Sequence, residues 1–278
     1  MNRGLSTLIA LTVGAAACGE PLETIGAPEL RILVRTFEDR VSDLAGPAPD
    51  GSVFLVGDGA LRLTPGDDLL PFSLPGTASV AAVAQDGRLV FATTDGALVD
   101  AATAENITTF EGVALDVDAD AGRVLTDRGL GGAFSGARRF VGAGIIGPAW
   151  WPDARVETAS VALPAAATDG FIAPSGRVWA SSRSGLVTVE PDGRASLLAF
   201  PRSTAIARAP DGRVVVGGIG AVRLVGPGTR AVVVVGPAIL GSAAVTRLVV
   251  SGGAITGLAK QGSLSVAFRV RGALPEAH

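Results

Sequence analysis

Four acidic residues have the spacing of a possible metal site. Asp116, Asp118 and Asp120 alternate in the segment LDVDADAGRVLTD, and Asp127 stands at the twelfth position counted from Asp116. Alternating carboxylates are typical of a calcium loop, but that loop needs glycine at its sixth position, where this chain has Ala121. The segment also fits a β-strand followed by a turn. We therefore interpret the aspartates as surface carboxylates and expect no cofactor, with calcium as the alternative.

Histidine chemistry is excluded by composition. The only histidine, His278, ends the sequence, where a chain frays, and there is no tyrosine. A Ser-His-Asp triad, a histidine base and a His-ligated metal each need an imidazole inside the folded body. We expect a protein without these catalytic groups.

The segment over residues 136–153, GARRFVGAGIIGPAWWPD, carries side chains suited to binding. Arg138, Arg139, Trp150 and Trp151 belong to the residue types enriched at binding hot spots, and tryptophan also stacks on sugars. Long ordered loops often carry function. The alternative is that the tryptophans only pack this segment onto the rest of the protein.

These side chains belong to a chain that repeats itself. A glycine that closes a tight turn marks each unit, at Gly51, Gly87, Gly122, Gly176, Gly212 and Gly253. A second glycine follows eight or nine residues later each time. Short apolar, β-branched runs lie between these turns, as in APDGRVVVGGIGAVRL over residues 209–224. A period of this length with four short strands per unit is typical of β-propeller blades.

The units resemble the propeller repeats of bacterial two-component-regulator sensor domains and of NHL-type propellers, in which an Asp-Gly turn precedes a strand and a glycine opens the next. The resemblance implies an all-β fold over residues 30–278: a six-bladed β-propeller with four antiparallel strands per blade. The sixth unit has no fourth strand of its own. We expect residues 30–37, LRILVRTF, to supply it and to close the ring, which removes open sheet edges.

The first 17 residues read as a targeting segment. Arg3 precedes a 13-residue apolar stretch over residues 5–17, which is too short to span a bilayer. Ala15-Ala16-Ala17-Cys18 resembles the lipobox of bacterial lipoproteins, which implies that Cys18, the only cysteine, is diacylated and becomes the new N-terminus. Residues 1–17 are then a signal peptide and residues 18–29 a lipidated tether. The alternative is an ordinary secretory signal cleaved near Ala17.

We predict a non-catalytic lipoprotein of the bacterial envelope, anchored by its lipid. The glycine after Cys18 resembles lipoproteins exported to the outer membrane, which is the expected location. Its propeller is expected to bind a protein or a glycan. A net charge of −3 gives no indication of the excess positive charge that binding to nucleic-acid phosphates requires. The alternative is a ligand-sensing propeller or a carboxylate-dependent hydrolase at the channel mouth. Propellers resembling streptogramin lyase need histidine, and sugar-lactonase propellers need asparagine beside their metal, whereas Asn106 is expected on an outer strand.

Overall fold

The computed structural model describes residues 31–37, 41–120, 122–126, 129–130, 167–172, 177–182, 185–190, 194–199, 202–226 and 231–274. Several residues singled out above lie outside these ranges: Cys18, Asp127, Arg138, Arg139, Trp150 and Trp151. The same holds for most of the third unit, which extends from the Gly122 marker to the Gly176 marker. Within the described part of the chain, no helix combines the length and apolarity that a membrane crossing requires.

The described residues form 23 strands and one short helix. The strands of the first half are β1 (Arg31–Phe37), β2 (Val41–Ala45), β3 (Val53–Gly57), β4 (Ala60–Leu63), β5 (Leu69–Phe72), β6 (Ala78–Val83), β7 (Leu89–Thr93), β8 (Ala97–Asp100), β9 (Asn106–Thr109), β10 (Ala114–Asp118), β11 (Arg123–Thr126) and β12 (Gly129–Leu130). The rest are β13 (Ala167–Ile172), β14 (Val178–Ser182), β15 (Gly185–Val189), β16 (Ala195–Ala199), β17 (Ser203–Arg208), β18 (Val214–Gly218), β19 (Val222–Val225), β20 (Ala231–Val235), helix α1 (Pro237–Leu240), β21 (Ala244–Ser251), β22 (Ala254–Gln261) and β23 (Leu264–Arg271).

The described strands pair into six antiparallel sheets, which we number in chain order. Sheet 1 is β2–β5, sheet 2 is β6–β9, sheet 3 is β10–β12, sheet 4 is β13–β16 and sheet 5 is β17–β20. Sheet 6 combines β21–β23 with β1, which pairs along its whole length with β23, from Arg31 opposite Arg271 to Phe37 opposite Ser265. The far N-terminal strand therefore takes the fourth position in a sheet made otherwise from the end of the chain.

The Asp-Gly turns explain the repetition of the first two strands. Gly51, Gly87 and Gly212 have φ of 80°, 91° and 83°, a region that favours glycine. In each turn the aspartate Oδ1 accepts the N–H two residues on, at 3.0 Å; the pairs are Asp50 with Ser52, Asp86 with Arg88, and Asp211 with Arg213. The turn chemistry therefore fixes where one strand ends and the next begins.

The core lies between the faces of successive sheets. Sheets 1 and 2 share a cluster around Phe54 and Phe91, and sheets 5 and 6 share one around Phe268. Phe268 lies over Gly257, where an added Cβ would be 2.1 Å from the ring. Further clusters join sheets 2 and 3, sheets 4 and 5, and sheets 6 and 1. In these clusters, sheets 1, 2, 5 and 6 each bury apolar residues against a neighbour on both sides.

Two features differ from the sequence expectation. Helix α1 interrupts a body expected to have no helices, and its place between β20 and β21 accounts for the longer spacing of the last unit. In β10, Asp116 was expected on the surface, but it is buried, with 4% of its surface exposed. The prediction was wrong because a bulge between Ala114 and Asp116 inserts an unpaired residue and resets the alternation of faces.

Candidate functional site at the first strands

The first strand of every sheet carries a β-bulge at the same place. The pairing with the second strand shifts register after the first or second residue of β2, β6, β10, β13, β17 and β21. These first strands also lie against one another, β2 against β6 and β21, and β17 against β13 and β21. The bulges therefore gather at the edge where neighbouring sheets meet.

The residue within the bulge is a serine or threonine in five of the six strands. They are Ser42, Ser79, Thr168, Thr204 and Thr246, with Leu115 in the sixth. Two of these hydroxyls lie within reach of the neighbouring sheet: Ser42 Oγ is 2.7 Å from the carbonyl oxygen of Ala78, and Thr204 Oγ1 is 2.6 Å from that of Val245. Both hydroxyls therefore reach a main-chain carbonyl in the first strand of the neighbouring sheet.

The residue after the bulge is aspartate in three sheets: Asp43, Asp116 and Asp169. All three are buried. Asp43 Oδ2 accepts the N–H of Ala81 in sheet 2 at 3.0 Å, and Asp169 Oδ2 accepts that of Ile206 in sheet 5 at 3.1 Å. Asp43 and Asp169 each satisfy a main-chain N–H in the first strand of the next sheet, so these two carboxylates hold neighbouring sheets together.

The sixth sheet has arginine at the same position, and its charge complements the first sheet. Arg247 Nε donates to Asp43 Oδ1 at 2.5 Å, and Asp43 is fully buried. Lys260 Nζ donates to the carbonyl oxygen of Ser42 at 3.2 Å. Burial lowers the pKa of Lys260; the Asp43 carboxylate opposes this change, and the Arg247 cation adds to it. This triad of Asp43, Arg247 and Lys260 joins the last sheet to the first.

A second charged cluster joins the same two sheets at the other end of β23. Arg269, which is buried, and Arg271 both donate to Asp67, which lies between β4 and β5. Burial would raise the pKa of Asp67, but the hydrogen bonds from Arg271 and Arg269 outweigh it and hold that pKa below its ordinary value. Arg269 also donates to the carbonyl oxygen of Thr64. The junction of sheets 6 and 1 is therefore held by ions at both ends, with apolar side chains between.

The candidate ligands of the alternative calcium site form no cluster in the described residues, which do not include Asp127. Asp116 lies after the bulge of β10, and its Oδ1 accepts the N–H of Val117 at 3.0 Å. Asp118 ends the same strand, and Asp120, in the turn beyond, accepts the N–H of Gln85 in sheet 2 at 2.7 Å. No group of three or more metal-ligating side chains occurs within the part of the chain that the structure describes.

Sequence reasoning missed the bulge residues, although a signal exists. The position after the bulge recurs at 43, 80, 116, 169, 205 and 247, in step with the glycine markers, and a serine or threonine usually precedes it. The pairs Ser42-Asp43 and Thr168-Asp169 share the same polar pattern at the start of an apolar strand. Asn106, expected on an outer strand, begins β9, the fourth strand of sheet 2.

Antiparallel four-stranded sheets that meet at their first strands are the architecture of a β-propeller. No protein-family model and no curated protein matches the sequence. Among solved structures, the WD40 β-propeller domain of Doa1 gives a TM-score of 0.56 at 14% identity, covering 84% of this chain and 95% of that one. The chain therefore has a β-propeller fold.

Two other propellers are similar at lower scores. The extracellular domain of the one-component system BT4673 from B. thetaiotaomicron gives a TM-score of 0.43 at 13% identity, covering 85% of this chain and 40% of that one. BamB from Moraxella catarrhalis gives 0.38 at 15% identity, covering 87% and 86%.

Proposed function

We propose that the chain is a non-catalytic lipoprotein of the bacterial envelope whose β-propeller binds a protein or a glycan. The observation that carries the proposal is the position of Cys18, directly after an apolar leader. Cys18 is the only cysteine in the sequence. A propeller presents loops on a rigid body, which suits binding. The buried aspartates Asp43 and Asp169 are engaged with main-chain N–H groups, as a structural role requires.

Lipidation is tested by metabolic labelling of the full chain with radioactive palmitate, followed by fractionation of the cell envelope. The unaltered chain is expected to carry the label and to sediment with the outer membrane. The variant Cys18→Ala is expected to lose both, because the thioether to the diacylglycerol cannot form. Label retained by Cys18→Ala, or a wild-type chain found unlabelled in the soluble fraction, would contradict the proposal.

We propose further that the six sheets are the six blades of one ring and that β1 closes it. The pairing of β1 with β23 and the ion pairs between sheets 6 and 1 support this closure. Deletion of residues 31–37 should lower the unfolding temperature sharply, because β23 then has an open edge. A melting curve like that of the intact protein would refute the closure.

The residues proposed to bind the partner are Arg138, Arg139, Trp150 and Trp151. Crosslinking in intact cells, with capture by an affinity tag, should recover one partner protein or glycan from the wild type. The variant with both tryptophans changed to alanine should recover less of it at equal abundance and equal melting temperature. Equal recovery would remove these side chains from the binding role.

A further inference from the structure

The triad of Asp43, Arg247 and Lys260 places two cations beside one carboxylate at the junction of sheets 6 and 1. Asp43 is fully buried, and the Arg247 side chain is only 16% exposed. The nearest residues on the neighbouring strand β23 and at the end of β22 are neutral: Ser265 and Gln261. Positive charge therefore exceeds negative charge among these described groups, of which Asp43 and Arg247 are largely shielded from water and Lys260 is half-buried.

Both cations keep hydrogen-bond donors that no residue in the described part of the chain accepts. A guanidinium has five N–H groups and an ammonium has three. Among the described residues, Arg247 donates only to Asp43 and, through Nη1, to the carbonyl oxygen of Thr246 at 3.2 Å. Lys260 donates only to the carbonyl oxygen of Ser42. Nη2 of Arg247 therefore has no hydrogen-bond partner among the described residues, and the Lys260 ammonium lies on the adjacent strand of the same sheet.

The electrostatics favour a further negative charge here. Burial lowers the pKa of Lys260; the Asp43 carboxylate offsets part of that decrease, and the Arg247 cation has the smallest effect, in the same direction as burial. A charged amine with a lowered pKa is less stable than it would be in water. An anion close to both cations would stabilise the charged amine and satisfy the remaining N–H donors.

We propose that Arg247 and Lys260 form a binding site for the carboxylate group of a small organic anion. A single negative charge balances the excess that the triad leaves, and a planar carboxylate matches the two N–H groups on one side of a guanidinium. A phosphate dianion would reverse the charge of the site instead of balancing it. The inference does not depend on lipidation of Cys18 or on the partner proposed above.

The chain offers a direct probe, because Lys260 is its only lysine. The full chain is treated with trinitrobenzenesulfonate in sodium acetate or in sodium chloride of equal ionic strength, and modification of Lys260 is quantified by peptide mass spectrometry. Acetate should slow the reaction about twofold at the concentration that half-saturates the site. It should also raise the pH at which the amine becomes reactive. Chloride should do neither.

Two variants separate this site from a general salt effect. Arg247→Gln should abolish the protection by acetate, and Arg88→Gln, an arginine whose side chain is 48% exposed in sheet 2, should retain it. If Arg247→Gln does not fold, the melting temperature decides: acetate should raise that of the wild type and not that of Lys260→Gln. Equal modification of the wild type in acetate and chloride, or stronger protection by phosphate than by acetate, would overturn the proposal.

Discussion

Replacing Asp43 by asparagine removes the charge at the centre of the junction between the last and first sheets. The carboxylate is fully buried, accepts from Ala81 N at 3.0 Å and pairs with Arg247. Breaking a buried pair by removing one charge costs about 3–5 kcal/mol, because the other charge stays buried without compensation. For a chain of this size that corresponds to a melting temperature lower by roughly 6–20 °C.

The assay is differential scanning calorimetry on the purified full chain, with two comparisons. Asp86→Asn removes a carboxylate that makes a similar contact with Arg88 on the exposed surface, and it should leave the melting temperature close to that of the wild type. The double variant Asp43→Asn with Arg247→Gln should lose less stability than the two single losses summed, because neither charge is then stranded. If Asp43→Asn melts like Asp86→Asn, the assignment of the triad as a stabilising junction is wrong.

Three further outcomes follow from the packing and the charges. Gly257→Ala should lower the free energy of unfolding in urea by about 1–3 kcal/mol or more, because the added Cβ would lie 2.1 Å from Phe268. The control Gly59→Ala, whose Cβ would have no atom within 4 Å, should leave that free energy unchanged. Equal effects of the two variants would refute this. Asp67→Asn should lower the urea midpoint at neutral pH, and the difference from the wild type should disappear in acid. The reason is that the pKa of Asp67 is lower in the folded than in the unfolded chain, so its carboxylate stabilises the fold above the ordinary pKa of 3.8, and this stabilisation is lost as the pH falls through the folded-state pKa. A difference that does not change with pH would contradict this. Val233→Lys, on the open edge of β20, should reduce aggregation measured by light scattering without lowering the melting temperature; unchanged aggregation would exclude that edge.

The sequence predicts the strands well because turn residues next to them in the chain determine where they begin and end. Gly87 and Gly212 occupy turns whose φ favours glycine, and the apolar runs beside them become buried strands. The junctions between sheets are not predicted, because they pair residues far apart in the chain, such as Asp43 with Arg247. Asp116 was misplaced for a related reason: strict alternation assigns a strand residue to a face, and a single bulge changes that assignment.

The pairing of β1 with β23 has a consequence for how the chain acquires its fold. β1 leaves the ribosome, and would leave an export channel, more than 200 residues before the strand that completes its sheet, as the pair Arg31 and Arg271 illustrates. Sheet 6 is therefore the last to be completed, and contacts of such long sequence separation form slowly. Until then the apolar strand RILVRTF is an unpaired edge exposed to other chains. A chaperone that holds the earliest segment, rather than the latest, would protect this protein best during its biogenesis.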